Sequence, residues 1–435
     1  MPRALSLHDS VMLVISSVIG VGVFLTPGTV ATLLPHPGAF LAAWCAGGLL
    51  SLAGALANAE LGAMYPHAGG NYVYLREAYH PYAGFAAGWL SFFVIYAGTV
   101  ATLAMGVAEG LGLFIELDQT SKVLIAAAVT VGTSSINYVG VRSGARFNNV
   151  TAYIKLGGLV GVIVAAMALG AGDLGHLRPL IDGASSLPVS AFGLALSPVL
   201  FSYLGWNASV YVASEIRDPE RNVPLSLFAG LFVCTGIYLM VNALYLYALP
   251  IEELGRQGRA GEAAAQALFG SAGGTVAALL VLASTLGCLN ATILVGPRIA
   301  YAMSLDGLFL RAAERVHPQY RTPHVAIAVQ GATAIALLLV LQQFPSVLDY
   351  TTFAILLATI ADTGALYALR RRQPTRRRPY RAWGYPLVPA LYMVANAGIA
   401  AAMVWWRPLE CGIALAVLAT SLPFYWALRR QPAVP

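Results

Sequence analysis

The chain has 435 residues, of which 58% are hydrophobic and only 10% charged, with a formal net charge of +6. An average soluble domain carries about 25% charged residues, so this composition excludes a soluble enzyme or regulatory domain and places most of the chain in lipid. The positive balance does not imply a nucleic-acid partner, because of where the arginines fall.

Eleven stretches with at most one charge occupy 11–59, 78–108, 123–141, 147–172, 183–214, 222–251, 263–297, 322–348, 350–369, 382–406 and 411–428. Each can cross a hydrocarbon core of about 30 Å as a helix. The first is about twice the needed length and is interrupted by Pro35, His36, Pro37 and Gly38, which reads as two helices joined by a tight turn. The expectation is an all-α membrane protein of about twelve transmembrane helices; the short alternating segments of a β-barrel do not appear. Because the N-terminus lacks the basic region and cleavage site of a secretory signal, the first helix is expected to be retained. Cys45, Cys234, Cys288 and Cys411 all fall within spans and read as small apolar packing residues. No metal-ligand spacing, cofactor fingerprint, P-loop or catalytic triad is recognisable.

With the N-terminus inside, eighteen basic residues fall on inner loops and tails, from Arg3 through seven arginines between Arg370 and Arg381 to Arg429 and Arg430. Five, Lys122, Arg178, Arg256, Arg259 and Arg407, fall on outer loops. This positive-inside bias predicts a multi-pass protein of the inner (plasma) membrane with both termini cytoplasmic, the 370–381 run acting as a topology anchor in contact with anionic lipid.

No linker divides the chain, so a single transporter domain is expected, with the 250–262 segment as an outer loop. In transporters built from inverted repeats the substrate lies at mid-membrane, where one helix of each half is broken. The first span, VISSVIGVGVFLTPG, carries Ser16, Ser17, Gly20, Gly22 and Gly28 in an apolar run; the sixth, SPVLFSYLGWNASVYVASE, packs Pro198, Ser202, Gly205 and Asn207 into ten residues. Small residues also serve close helix packing, but these two spans open matching halves, about 11–171 and 189–369, with helices eleven and twelve at about 386–428. An unwound turn near Val21 and Gly22 would offer N–H groups and a positive dipole end to a carboxylate. Carbonyls around Val18, Ile19, Phe201 and Leu204 would accept from an ammonium, and the pair suits an amino-acid zwitterion.

These residues carry a resemblance. SSVIGVGVFLTPG at 16–28, AELGAMYPHAGGNYVYLREAY at 59–79, FSYLGWNASVYVASEIRDPERNVP at 201–224 and GPRIAYAMSLDGLF at 296–309 resemble, in order and spacing, the amino acid-polyamine-organocation permeases, most nearly their L-type neutral amino acid transporter branch. Residues 382–435 resemble them only in hydropathy. The resemblance implies a five-plus-five inverted repeat with broken helices one and six plus two extra helices, alternating access, and a glycine-rich turn, here Gly20, Val21 and Gly22, that binds the substrate carboxylate. It implies that Phe201 closes over the substrate and Asn207 binds or gates it. Since some cationic amino acid exchangers carry glutamate at that place, the uncharged Asn207 favours neutral L-amino acids; a cationic amino acid or polyamine exchanger is the alternative. No protein partner beyond the amino acid and the bilayer is expected.

Lys155 lies inside the fifth span with no acidic residue within a turn or two, where a lysine costs roughly 2.5–3.5 kcal/mol on insertion scales. Twenty-three of the 25 basic residues are arginine, so position 155 has reason to require an amine, which can discharge on burial where a guanidinium cannot. The resemblance implies that this amine replaces the sodium ion of sodium-coupled relatives, beside Ser16 and Ser284 or Thr285, making transport sodium-independent, as exchange or proton symport. Glu60 and Asp362 read either as proton relays or as structural partners, of Arg298 for example. Glu109, Glu116 and Glu215 fall near span ends and are expected to be solvated, while Asn290 and Thr292 are candidates for side-chain selectivity.

Overall fold

The computed structural model describes residues 3–112, 114–169, 172–180, 188–341 and 344–429. Arg430, residues 170–171 at the end of the first half, residues 183–187 before the sixth span and residues 342–343 lie outside them. Among the described residues, eight helices are long and apolar enough to cross a membrane, and Leu7–Val18 with Gly22–Leu33, bent by 44°, makes a ninth span. The shorter apolar helices Ser190–Tyr203 and His324–Leu339 and the 20-residue helix Gln119–Tyr138 complete twelve. The described chain forms no sheet; its β pairing is one parallel bridge between Leu5 and Ile216.

Local chemistry sets the boundaries. The first span starts at Leu7 because Ser6 and Asp9 form a capping box, the Asp9 N–H donating to Ser6 Oγ at 3.2 Å and the Ser6 N–H to the Asp9 carboxylate at 2.9 Å. The second, Pro37–Met64, starts where the sequence predicted a turn: His36 Nδ1 accepts from the Ala39 N–H at 3.2 Å and Pro37 fills the first helical position. The third runs Pro81–Leu111 and contains a π-helical segment, Ser91–Tyr96, which rotates the following turns relative to the preceding ones. Lys155 sits at the middle of the fifth span, Val141–Leu169. The seventh, Pro219–Ala248, packs against both the first and the second, and the eighth, Ala260–Val295, against the fifth and the first. Trp44, Tyr203 and Tyr238 fill the space between the second, sixth and seventh spans, Tyr238 meeting the other two rings at 5.6 and 4.9 Å.

Several polar residues stand elsewhere than the sequence predicted. Glu215 is fully buried, because the chain runs on below the broken sixth span under the eighth. There it receives Arg298 Nε at 2.8 Å and Nη2 at 3.2 Å, while its backbone carbonyl accepts from the Leu5 N–H at 2.9 Å. Glu60 therefore does not pair with Arg298. It is bound by Arg370 at 2.6 and 3.0 Å, by Arg378 at 3.1 Å and by the Ala382 N–H at 2.6 Å. Arg370, Arg372, Arg376 and Arg378 of the 370–381 run thus make contacts within the protein, Arg376 stacking 3.9 Å from the Tyr65 ring. Glu109 is half-buried and Glu116 exposed. The 250–262 segment contains a helix, Ile251–Gly255, whose last carbonyl accepts from Thr32 Oγ1 at 2.8 Å. Asn71–Ala78 is a second, largely buried helix in what the pattern presented as an inner loop.

Candidate substrate site between two broken helices

Both predicted breaks are present. The first span leaves helical geometry at Ile19 and resumes at Gly22. The sixth, Val189–Tyr203, ends where Leu204 turns extended (φ −56°, ψ 149°), and helix returns only for Ala208–Tyr211. Two glycines let the breaks touch. Gly205 adopts φ +94°, and a Cβ on it would lie 2.7 Å from the Ser17 carbonyl oxygen; a Cβ on Gly22 would lie 2.7 Å from Ser202 Oγ and 2.8 Å from its Cα. Thr26 and Ser202 join their hydroxyls across the same contact at 2.9 Å.

A cavity of about 130 Å³ opens between them. Ser17, Val18, Gly20, Val21 and Gly22 line it from the first span, and Phe201, Ser202, Leu204, Gly205, Asn207 and Tyr211 from the sixth. The helix starting at Gly22 has no side-chain cap, so its positive dipole end lies at the wall that Val21 and Gly22 form. Spans three, eight and ten supply the remaining walls, including Tyr96 and Thr99, Ala291 and Thr292, and Thr351, Ile355 and Thr359. Among the described residues that line it there is no Asp, Glu, Lys, Arg or His. Asn207 donates to the Tyr211 hydroxyl at 3.5 Å, and the Tyr211 ring meets that of Tyr96 at 5.4 Å.

The carbonyls are less available than the sequence implied. Val18 O accepts from the Tyr238 hydroxyl at 2.7 Å and the Gly20 N–H at 2.8 Å; Ile19 O accepts from Lys155 and Ser284 and does not line the cavity. With both lone pairs of each oxygen engaged, neither can receive an ammonium. Phe201 O accepts from the Leu204 N–H at 3.1 Å. Asn290 is also outside the cavity: its amide accepts from Asn137 at 2.8 Å and donates to Gly144 O at 3.1 Å. Thr292 does line it.

Lys155 is brought to the break of the first span. Its amine donates to Ser16 O at 2.9 Å, Ile19 O at 2.8 Å and Ser16 Oγ at 3.3 Å, and Ser284 Oγ donates to the same Ile19 carbonyl at 2.9 Å. Gly287 makes room for it, since a Cβ there would lie 2.9 Å from Nζ. Thr285 is not part of this group; its hydroxyl bonds Val281 O in its own helix at 2.8 Å. The sequence did not reveal Tyr238, whose hydroxyl reaches both Val18 O at 2.7 Å and Ser202 O at 2.8 Å. Along the sequence it is one of three tyrosines in the apolar run GIYLMVNALYLY, with nothing to single it out.

Comparison with known proteins agrees with this geometry. The family model described as amino acid permease matches residues 5–426. The chain is 32% identical to the serine/threonine exchanger SteT of Bacillus subtilis, over 99% of this chain and 98% of that protein. It is 27% identical to the human b(0,+)-type amino acid transporter 1, over 98% and 89% of the two chains. It is 26% identical to the rabbit large neutral amino acids transporter small subunit 2, over 98% and 80%. Two helices broken at facing glycine turns, an uncharged cavity between them and a family match over nearly the whole length place this multi-pass membrane protein in the amino acid permease family of the amino acid-polyamine-organocation superfamily.

Proposed function

We propose that the chain exchanges neutral L-amino acids across the inner (plasma) membrane, without sodium, by alternating access about the two broken helices. The halves 11–171 and 189–369 act as the repeats that rock against each other, and both termini are cytoplasmic. The observation that carries this reading is the cavity lining: uncapped helix N–H groups at Val21 and Gly22, the Asn207 amide and several hydroxyls, with no charged side chain. A zwitterion brings its own balanced charges to such a site, whereas a cationic side chain or a polyamine would leave a buried charge without a counter-ion. The carboxylate is held at the Gly22 helix start, and the ammonium is received by Leu204 O and cavity hydroxyls such as Ser17 and Thr359. The name of the Bacillus subtilis relative, a serine/threonine exchanger, favours small side chains. The Lys155 amine, bonded to Ser16 and to the Ile19 carbonyl where the first span unwinds, supports sodium independence.

Radiolabelled counterflow in proteoliposomes, competed with a panel of amino acids, tests this. Small neutral L-amino acids should compete, and arginine, lysine and spermidine should not. Competition by the cationic set alone would overturn the reading.

A further inference from the structure

We propose that Asp362, on the tenth span one turn beyond the cavity-lining Thr359, is a proton-binding site whose carboxyl is protonated while the transporter is closed toward the cytoplasm. It gives that proton to water only when the cytoplasmic path opens.

Asp362 is 1% exposed, and neither of its oxygens has a hydrogen-bond partner. It is not an isolated oddity. The Tyr74 hydroxyl and both amide atoms of Asn58 are likewise buried and unpartnered. Gly54, Asn58 and Gly62 follow at four-residue spacing, so they share one face of the second span. A Cβ on Gly54 would touch the Tyr392 ring at 2.7 Å, and one on Gly62 would lie 3.2 Å from the Tyr74 hydroxyl. Asn58 therefore sits between Tyr392 and Tyr74, and both tyrosines lie within electrostatic reach of Asp362. The second span, the tenth and the helix Asn71–Ala78 thus each bury a polar group, an amide, a carboxyl and a phenol, that protein groups leave unsatisfied.

The groups facing the carboxyl from these elements and from span three are tyrosines, Tyr74, Tyr79, Tyr96, Tyr211 and Tyr392. Span twelve directs Tyr425 to a separate cluster with Tyr82 and Phe85. The cations further along the tenth span are committed elsewhere: Arg370 to Glu60, and Arg372 to the carbonyls of Ala78 and Tyr79. A charged carboxylate here would be desolvated with neither counter-ion nor donor, a state proteins avoid by neutralising the group. The protonated acid carries no charge and avoids that cost. Tyr96 and Tyr211 also line the substrate cavity, so the carboxyl adjoins that cavity on the side of the arginine-rich end. Opening toward the cytoplasm hydrates the carboxyl and lets it ionise, and the ionised form resists closing again. Transport should therefore fall as pH rises.

Two measurements test this, with Asp362→Asn as a near-isosteric stand-in for the neutral acid. The first needs no transport. Infrared spectra of the purified wild type at neutral pH should show the carbonyl stretch of a protonated, buried carboxylic acid, and Asp362→Asn should lack it. Absence of the band in the wild type, or its persistence in Asp362→Asn, overturns the proposal. The second is counterflow with equal pH on both sides. The wild-type rate should fall from mildly acidic to mildly alkaline pH, and Asp362→Asn should exchange at a rate that no longer varies. A pH profile unchanged in Asp362→Asn would assign the titration to another group, Lys155 foremost, and sink the idea. A bound monovalent cation in place of the proton would show as salt-dependent loss of the infrared band in the wild type, which also refutes it. Since the infrared result does not depend on which amino acid is carried, its failure is distinguishable from failure of the neutral-exchange reading.

Discussion

Gly205→Ala tests whether the direct contact between the two breaks matters for transport. Gly205 holds φ +94°, and the added methyl carbon would sit 2.7 Å from the Ser17 carbonyl oxygen and 2.9 Å from its Cβ. The left-handed backbone costs an alanine about 1–2 kcal/mol, and forcing a methyl group into a packed contact costs about 1–3 kcal/mol more. Together these come to about 2–5 kcal/mol, imposed on states in which Ser17 and residue 205 touch. At tenfold per 1.4 kcal/mol, substrate affinity in that state should fall by about 30-fold to a few thousand-fold. Gly193, earlier in the same span, is exposed and has nothing within 4 Å of its would-be Cβ, so Gly193→Ala serves as the matched control. Both variants would be reconstituted and compared by concentration-dependent counterflow, with thermal unfolding in detergent to monitor the fold. Equal half-saturation and rate in the two variants would refute the claim that this contact shapes the site.

Three further outcomes follow from the same geometry. Asn207→Ala should weaken substrate affinity roughly threefold to tenfold, the loss of one net polar bond of about 0.5–1.5 kcal/mol, with unfolding temperature unchanged; unaltered counterflow kinetics would remove Asn207 from the site. Glu215→Gln should destabilise the protein by about 3–5 kcal/mol, since it leaves the buried Arg298 without its counter-charge, and a melting temperature equal to wild type would show the pair to be dispensable. For orientation, a cysteine at the exposed Thr375, in a cysteine-free background, should stay unlabelled by an impermeant reagent in intact cells and react after lysis. Thr375 is preferable to Gln373, whose side chain accepts from the Tyr65 hydroxyl at 2.9 Å.

What the sequence disclosed and what it withheld differ for physical reasons. The breaks were legible because glycine, serine and asparagine inside an apolar run conflict with an unbroken membrane helix, and the structure unwinds at Ile19–Val21 and Leu204–Asn207. Lys155 was legible because its charge conflicts with its surroundings; it meets Ser16, while Ser284 bonds the Ile19 carbonyl that Lys155 also reaches. Glu215 was misread because hydropathy treats the end of an apolar stretch as the membrane surface, whereas a broken helix carries the chain back under its neighbours. The partners of Glu60 lie 310 and 318 residues away, beyond any periodicity. The π segment at Ser91–Tyr96 is written in ordinary apolar and aromatic residues, so nothing local marked Tyr96 as a cavity wall. Tyr238 joins the two breaks through one hydroxyl, and no pattern along a single helix encodes that.

In the proposed cycle a neutral amino acid is exchanged at the junction of the two breaks, with the Lys155 amine standing where a sodium ion would otherwise hold the first span to the fifth and eighth. Counterflow of a radiolabelled small neutral L-amino acid into sodium-free proteoliposomes, for wild type and Lys155→Ala side by side, tests it most directly. The alanine variant loses two short charge-assisted bonds, to Ser16 O at 2.9 Å and Ile19 O at 2.8 Å, each of about 1.5–3 kcal/mol. Wild type should exchange at full rate without sodium, and the variant should lose at least a hundredfold, the effect of about 3 kcal/mol. Exchange by the wild type only when sodium is added, or an alanine variant as active as wild type, would contradict it.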